Sequence, residues 1–226
     1  MRLEHLNPNL RGALWILLAG VFMTVMATSV KFIGQSLDSF VIAFFRALFG
    51  LFVIMPFVWR GGREALRVKR PWLHLARGVG GAGAMLCGFY ALTHLPLADA
   101  VAIGFARPLF ILIFAVMFLG EIVHRRRWSA TLVGFLGVLI MVRPHGAMDP
   151  VALVALAGAF LFAGVTIILK KLSAEDRPAT LMLSSSLIVS IFSLGPALAY
   201  WRTPTIAEFG LLAFMAAMGT VAQSCR

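Results

Sequence analysis

The chain has 226 residues, 61% hydrophobic and 13% charged, with a mean hydropathy of +0.93. That much apolar surface exceeds what one soluble core of this size can bury, and it excludes a disordered chain. The net charge of +11 alone would suit nucleic acid, but the basic residues lie between long apolar runs, so a lipid bilayer is the expected partner and no nucleic acid is.

A membrane-spanning helix needs about 20 mostly apolar residues. Eight runs fit, over about 12–33, 39–59, 72–94, 98–119, 128–142, 150–169, 179–201 and 207–223, the fifth at the short end. The first is longer than the roughly 7–15 apolar residues of a signal peptide and lacks a small-residue cleavage site, so it reads as a span. Lys31 closes it and is expected to snorkel to the surface. The second run carries Arg46 about seven residues in. The third is rich in glycine, and Gly80, Ala84 and Gly88 share a face that favours close helix packing. Arg77, about five residues into that run, is expected to snorkel. His94 and Asp99 flank the next turn and are expected to cap or to face solvent.

The fourth run carries Arg107 about nine residues in, followed by Pro108. The proline removes a backbone hydrogen bond one turn below Gly104, which leaves either a simple kink or a hinge whose carbonyl faces a cavity. The run ends in Leu-Gly-Glu. Glu121 opposes the helix dipole there and is expected to pair with Arg125 or a neighbouring loop, in a gating or structural role. The sixth run repeats the small-residue spacing at Ala155, Ala159 and Ala163. No run alternates with period two, which argues against a barrel. The fold class is therefore an all-α integral membrane protein of about eight transmembrane helices.

Charge sets the orientation. With the N-terminus inside, 14 of the 20 basic residues fall in inward-facing segments, among them Arg2, Arg11, Arg60, Arg63, Arg67, Arg125, Lys170 and Arg226. Arg143, Arg202 and Lys31 lie outside. Positive residues collect on the cytoplasmic side, so both termini are expected in the cytoplasm. An offset of 139 residues aligns Ala13 with Ala152, Leu14 with Leu153, Leu17 with Leu156 and Lys31 with Lys170. Chance similarity of apolar helices is the alternative. A real repeat of five helices would enter the membrane from opposite sides in its two copies, the inverted-repeat plan of many carriers.

A charge inside a span costs about 2.5–3.5 kcal/mol on insertion scales, so each needs a reason. Arg46 and Arg107 start from the same side and reach similar depth. Together they can form a positive pocket for a carboxylate or phosphate, or each can satisfy exposed carbonyls and fix packing. Cys87 and Cys225 form no disulfide framework. The five histidines are scattered and no phosphate-loop, HExxH or CxxC motif occurs, so neither metal, cofactor nor ATP site is expected. No paired carboxylate or Ser/His set lies at membrane depth, so an intramembrane enzyme is not the preferred reading.

The stretch FYALTHLPLADAVAIGFARPLFILIFAVMFLGE, residues 89–121, resembles the fourth-helix signature of the EamA branch of the drug/metabolite transporter superfamily. Trp128 to Pro144 resembles its fifth helix, and FFRALFGLFVIMP, Phe44 to Pro56, its second. The resemblance implies a ten-helix carrier of five plus five inverted repeats, which moves small metabolites or drug-like solutes without ATP across the bacterial inner membrane. It implies a complete first repeat over 11–143 and a partial second repeat of three helices over 150–226. Two helices of the family pattern are then absent, and the expectation is a chain truncated at its C-terminus. A homodimer or a partner chain would supply the missing helices, and an inactive remnant is the alternative. The substrate-binding candidates are Arg107, Arg46 and Pro108; Glu121 and Gly104 are the gating or structural ones.

Overall fold

Long apolar runs without alternation can satisfy their backbone groups in lipid only as helices, and every regular element among the described residues is one. The computed structural model describes the backbone of residues 8–61, 68–142 and 150–224. The helices are α1 (Pro8–Ile33), α2 (Ser39–Gly61), α3 (Pro71–His94), α4 (Leu97–Gly104), α5 (Arg107–Leu119), α6 (Arg125–Val142), α7 (Pro150–Leu172), α8 (Pro178–Ala199) and α9 (Ile206–Ser224). Five stretches are long and apolar enough to cross a membrane: 39–56, 71–94, 97–119, 150–172 and 178–199. Leu17–Ile33 and Ile206–Thr220 are shorter apolar helices.

The predicted fourth span is broken in two. Pro108 has no N–H, so the Gly104 carbonyl receives no bond from four residues on. The chain tightens instead: Phe105 N–H donates to Ala102 O at 3.0 Å and Ala106 N–H to Ile103 O at 2.9 Å. α5 then restarts with the proline in its first turn, where the missing donor costs nothing. α5 ends at Gly120, whose φ of 64° is the left-handed cap that favours glycine.

α3 packs along α7, α2 along α8, and α1 along α9, while α3 also touches α8 and α2 touches α9. Small residues set these approaches. At Gly158 of α7 a Cβ would lie 2.9 Å from the Cys87 Cβ of α3, and at Gly78 it would fall inside the side chain of Ile188 on α8. The core is the α1–α2–α9 seam of Met26, Val30, Ile42, Phe45, Leu212 and Met215. Phe52, Met117, Phe118 and Ile191 face outward.

Helix ends gather at two faces. The first holds the starts of α3 and α8 and the ends of α5 and α7, joined by Arg70–Glu175 at 2.8 Å and by a Lys170–Glu121 ion pair. The second holds the ends of α1 and α3. There Lys31 does not reach outward: its Nζ donates to the Thr93 and Leu95 carbonyls at 3.0 and 2.7 Å, capping α3. A cation at the carbonyl end of a helix is favoured by the dipole. Arg202 donates to the Ser36 carbonyl, and Ser36 Oγ to Glu208 at 2.6 Å, on this same face. Arg2, Arg63, Arg67, Arg143, Arg226 and Cys225, and the side chains of Arg11 and Arg60, lie outside the described residues.

Candidate functional site

The packing leaves a cavity of about 570 Å³ between α1–α5 and the α7–α8 pair. Sites for drug-sized ligands run from about 300 to 1,000 Å³. Gly81, Ala84 and Gly88 on α3 and Gly158 on α7 line it, so the room comes from side chains the sequence withholds.

Three arginines line this cavity: Arg46, Arg77 and Arg107. Arg46 of α2 lies against Gly219 of α9, where a Cβ would come within 2.9 Å of its Nε and Nη2. Glycine at that position makes room for the guanidinium. Arg107 opens α5, and its Cζ stands 4.8 Å from the Phe162 ring centroid, a cation–π geometry. Arg77 of α3 donates from Nη1 to the Leu181 carbonyl at 2.6 Å. Its Nε is buried with no hydrogen-bond partner among the described residues. The snorkelling expected of Arg77 is thus corrected: the start of α8 covers it, and it turns to the cavity. Thr24 and Thr28 of α1 and Ser185 and Ser186 of α8 add hydroxyls to the lining.

One turn before Arg77 on α3 lies a buried polar seam that the sequence alone does not reveal. His74 is 3% exposed and sits between Asp176 and Ser184, with Nε2···Oδ2 at 2.9 Å and Nδ1···Oγ at 2.7 Å. Asp176 is 8% exposed. Arg70, His74 and Arg77 are spaced by four and three residues, so all three meet the start of α8 along one face of α3. That spacing is the signal in the sequence; what it faces is not.

Gly104 lines the cavity beside Arg107, whereas Pro108 lines a shallower groove against α6. Glu121 pairs with Lys170 at the end of α7, a neighbouring segment, and not with Arg125. His94 is exposed, with Nδ1 2.9 Å from the Tyr90 carbonyl. Among the described residues no three His, Cys, Asp or Glu come together as a metal site.

Apolar helices, five stretches of them long enough to cross a membrane, packed around a cavity lined by three arginines define a multi-pass membrane protein with a charged internal site. The comparisons with known proteins give the family: the chain belongs to the EamA-like transporter family, whose match covers residues 10–143. It is 36% identical over 218 residues to an S-adenosylmethionine uptake transporter of Rickettsia prowazekii, covering 96% of this chain and 74% of that protein. A riboflavin transporter of Rhizobium johnstonii is 32% identical, covering 94% and 72%. A pseudopaline exporter of Pseudomonas aeruginosa is 32% identical, covering 89% and 72%. One solved crystal structure shares the fold with a TM-score of 0.69 at 20% identity, covering 96% of this chain and 76% of that one. The protein is a small-solute transporter of the drug/metabolite type.

Proposed function

We propose that the central cavity is the solute site and that the protein works by alternating access, with Arg46 and Arg107 holding an acidic group of the solute. The carrying observation is that both arginines line one cavity although they come from different helices. A guanidinium presents a rigid fork of donors that matches carboxylate or phosphate. The break at Gly104–Pro108 is the hinge beside the solute, and Lys170–Glu121 together with the His74–Asp176 seam is the gate on one face.

The packing pattern supports a two-repeat reading. Exchanging α1 with α7, α2 with α8 and α3 with α9 turns the α1–α9 contact into the α7–α3 contact and the α3–α8 contact into the α9–α2 contact. It leaves α2–α8 unchanged. A pseudo-twofold axis produces this exchange. The charge distribution supports placing the α3–α8 starts at the cytoplasm, with both termini there and the chain in a bacterial plasma membrane.

Uptake into proteoliposomes tests the reading, with S-adenosylmethionine and riboflavin as first probes because relatives are named for them. Arg107→Ala is expected to weaken apparent affinity for the carried solute. Unchanged affinity would remove Arg107 from the site.

A further inference from the structure

We infer that His74 is a proton-binding site linked to the solute site, so that a proton and the solute bind cooperatively. The link rests on the reading of the cavity as the solute site. A chain of contacts runs from the buried seam to the cavity wall. His74 Nε2 meets Asp176 Oδ2 at 2.9 Å, and Nδ1 meets Ser184 Oγ at 2.7 Å. Ser184 Oγ also lies 3.2 Å from the Leu181 carbonyl, to which Arg77 Nη1 donates at 2.6 Å. Arg77 lines the cavity. An ionised Asp176 only accepts, so Nε2 carries a hydrogen whether the ring is neutral or charged, and Nδ1 is the atom that varies. The Ser184 hydroxyl has a single hydrogen and two acceptors in reach of it.

With Nδ1 bare, Ser184 gives its hydrogen to the ring and Arg77 keeps the Leu181 oxygen. A proton from water forms an N–H bond at Nδ1, which then donates to Ser184 Oγ. The hydroxyl turns its hydrogen to the Leu181 carbonyl, and no covalent bond breaks. That oxygen has two lone pairs, and inside α8 one of them serves the helix ladder. Ser184 and Arg77 compete for the other. Proton binding therefore loosens Arg77, whose Nε is buried without a hydrogen-bond partner among the described residues, and frees its donors for a solute. The proton also takes the His74–Asp176 pair from one negative charge to zero, which lessens its repulsion of an acidic group in the cavity. Asp176 is the one charged residue bonded to His74 among those described. Arg70 pairs with Glu175, and Lys170 of α7 with Glu121. Lys69, Lys171 and Arg177 make no bond to the ring. α1, α2 and α4 bring no described charge to this end of α3: Lys31 caps its far end, Arg46 lines the cavity, and Asp99 sits in the first turn of α4. Arg63, Glu64 and Arg67 lie outside the described residues.

The test uses the full chain in detergent, with His5, His94, His124 and His145 replaced by glutamine so that His74 is the single isotope-labelled imidazole. Ring-nitrogen NMR reads both charge and tautomer. Between about pH 5 and 8, the window of histidine, Nδ1 is expected to gain and lose its hydrogen while Nε2 keeps its own. Arg77→Gln removes the competitor for the Leu181 oxygen and should raise the ratio of charged to neutral ring at a given pH by about fivefold. With Ser184→Ala also present the same substitution should change that ratio less, because the hydroxyl relay is cut. A ring that keeps one charge state across the window overturns the inference, as does a neutral ring with its hydrogen on Nδ1 or an Arg77 effect undiminished by Ser184→Ala. The titration with native Arg77 and Ser184 decides the proton site even where a variant folds poorly. Uptake into proteoliposomes separates the two levels. Apparent affinity for a carried probe, S-adenosylmethionine or riboflavin, is expected to be at least about fivefold tighter with His74 charged than neutral, and His74→Gln should abolish the difference. A carried probe whose pH dependence is the same in His74→Gln overturns the link and leaves the carrier reading intact. A titrating, Arg77-linked His74 in a chain whose uptake survives Gly88→Leu in the cavity keeps the proton site and counts against the cavity reading.

Discussion

Replacing Asp176 with alanine opens the seam beneath the cavity. His74 and Asp176 are 3% and 8% exposed, and the substitution strands a buried ring nitrogen that now has a partner at 2.9 Å. An unsatisfied buried donor costs about 1–3 kcal/mol. Because the contact joins α3 to the start of α8, the cost falls on the conformer described here and not on one in which these helices part. A shift of about 2 kcal/mol moves that equilibrium roughly 30-fold. The assay places a cysteine at Ser185, which lines the cavity just beyond the seam, in a chain whose Cys87 and Cys225 are serine. A membrane-impermeant maleimide is applied from the face of Arg70 and Glu175. The labelling rate is expected to rise by roughly tenfold or more in Asp176→Ala, and His74→Ala should add little to it because the two residues share one contact. A wild-type labelling rate in a folded Asp176→Ala protein would falsify the gate assignment.

Other substitutions probe the packing and the hinge. Gly158→Val drives a side chain into Cys87 and the α3 backbone, and the overpacking should cost about 1–3 kcal/mol, read as a lowered Tm in detergent. Pro108→Ala restores an N–H within reach of the Gly104 carbonyl and should fuse α4 with α5, so Tm holds or rises while the transport rate falls. A rate equal to wild type would argue against the hinge. Thr205 and Glu208 form a capping box at the start of α9, with Thr205 N–H donating to Glu208 at 2.7 Å. Thr205→Ala should lower Tm slightly and leave solute affinity unchanged.

Much of this architecture is legible in the sequence because its strongest signal is local. Twenty apolar residues in a row demand a helix whatever surrounds them, so the helix list emerged with boundaries close to those of the structure. A charge inside such a run is anomalous by itself, which singled out Arg46 and Arg107. Arg77 was misjudged because distance from a helix end suggested a route to water, and only tertiary packing reveals that Leu181 of α8 covers it. His74 and Asp176 are 102 residues apart, and each looks ordinary near a helix start. Pro108 announced a missing hydrogen bond, but not that its ring would face α6 while Gly104 faced the cavity.

The central claim is that solute passes through the cavity lined by the three arginines, and a plug tests it most directly. Gly88 lines that cavity, and a Cβ built there meets no atom within 4 Å, so a larger side chain can enter the space without disturbing a helix contact. The decisive measurement is the initial uptake rate of a probe carried by the wild type, in proteoliposomes holding Gly88→Leu. The account predicts that uptake is lost while Tm stays at the wild-type value. Wild-type uptake through the filled cavity would contradict it.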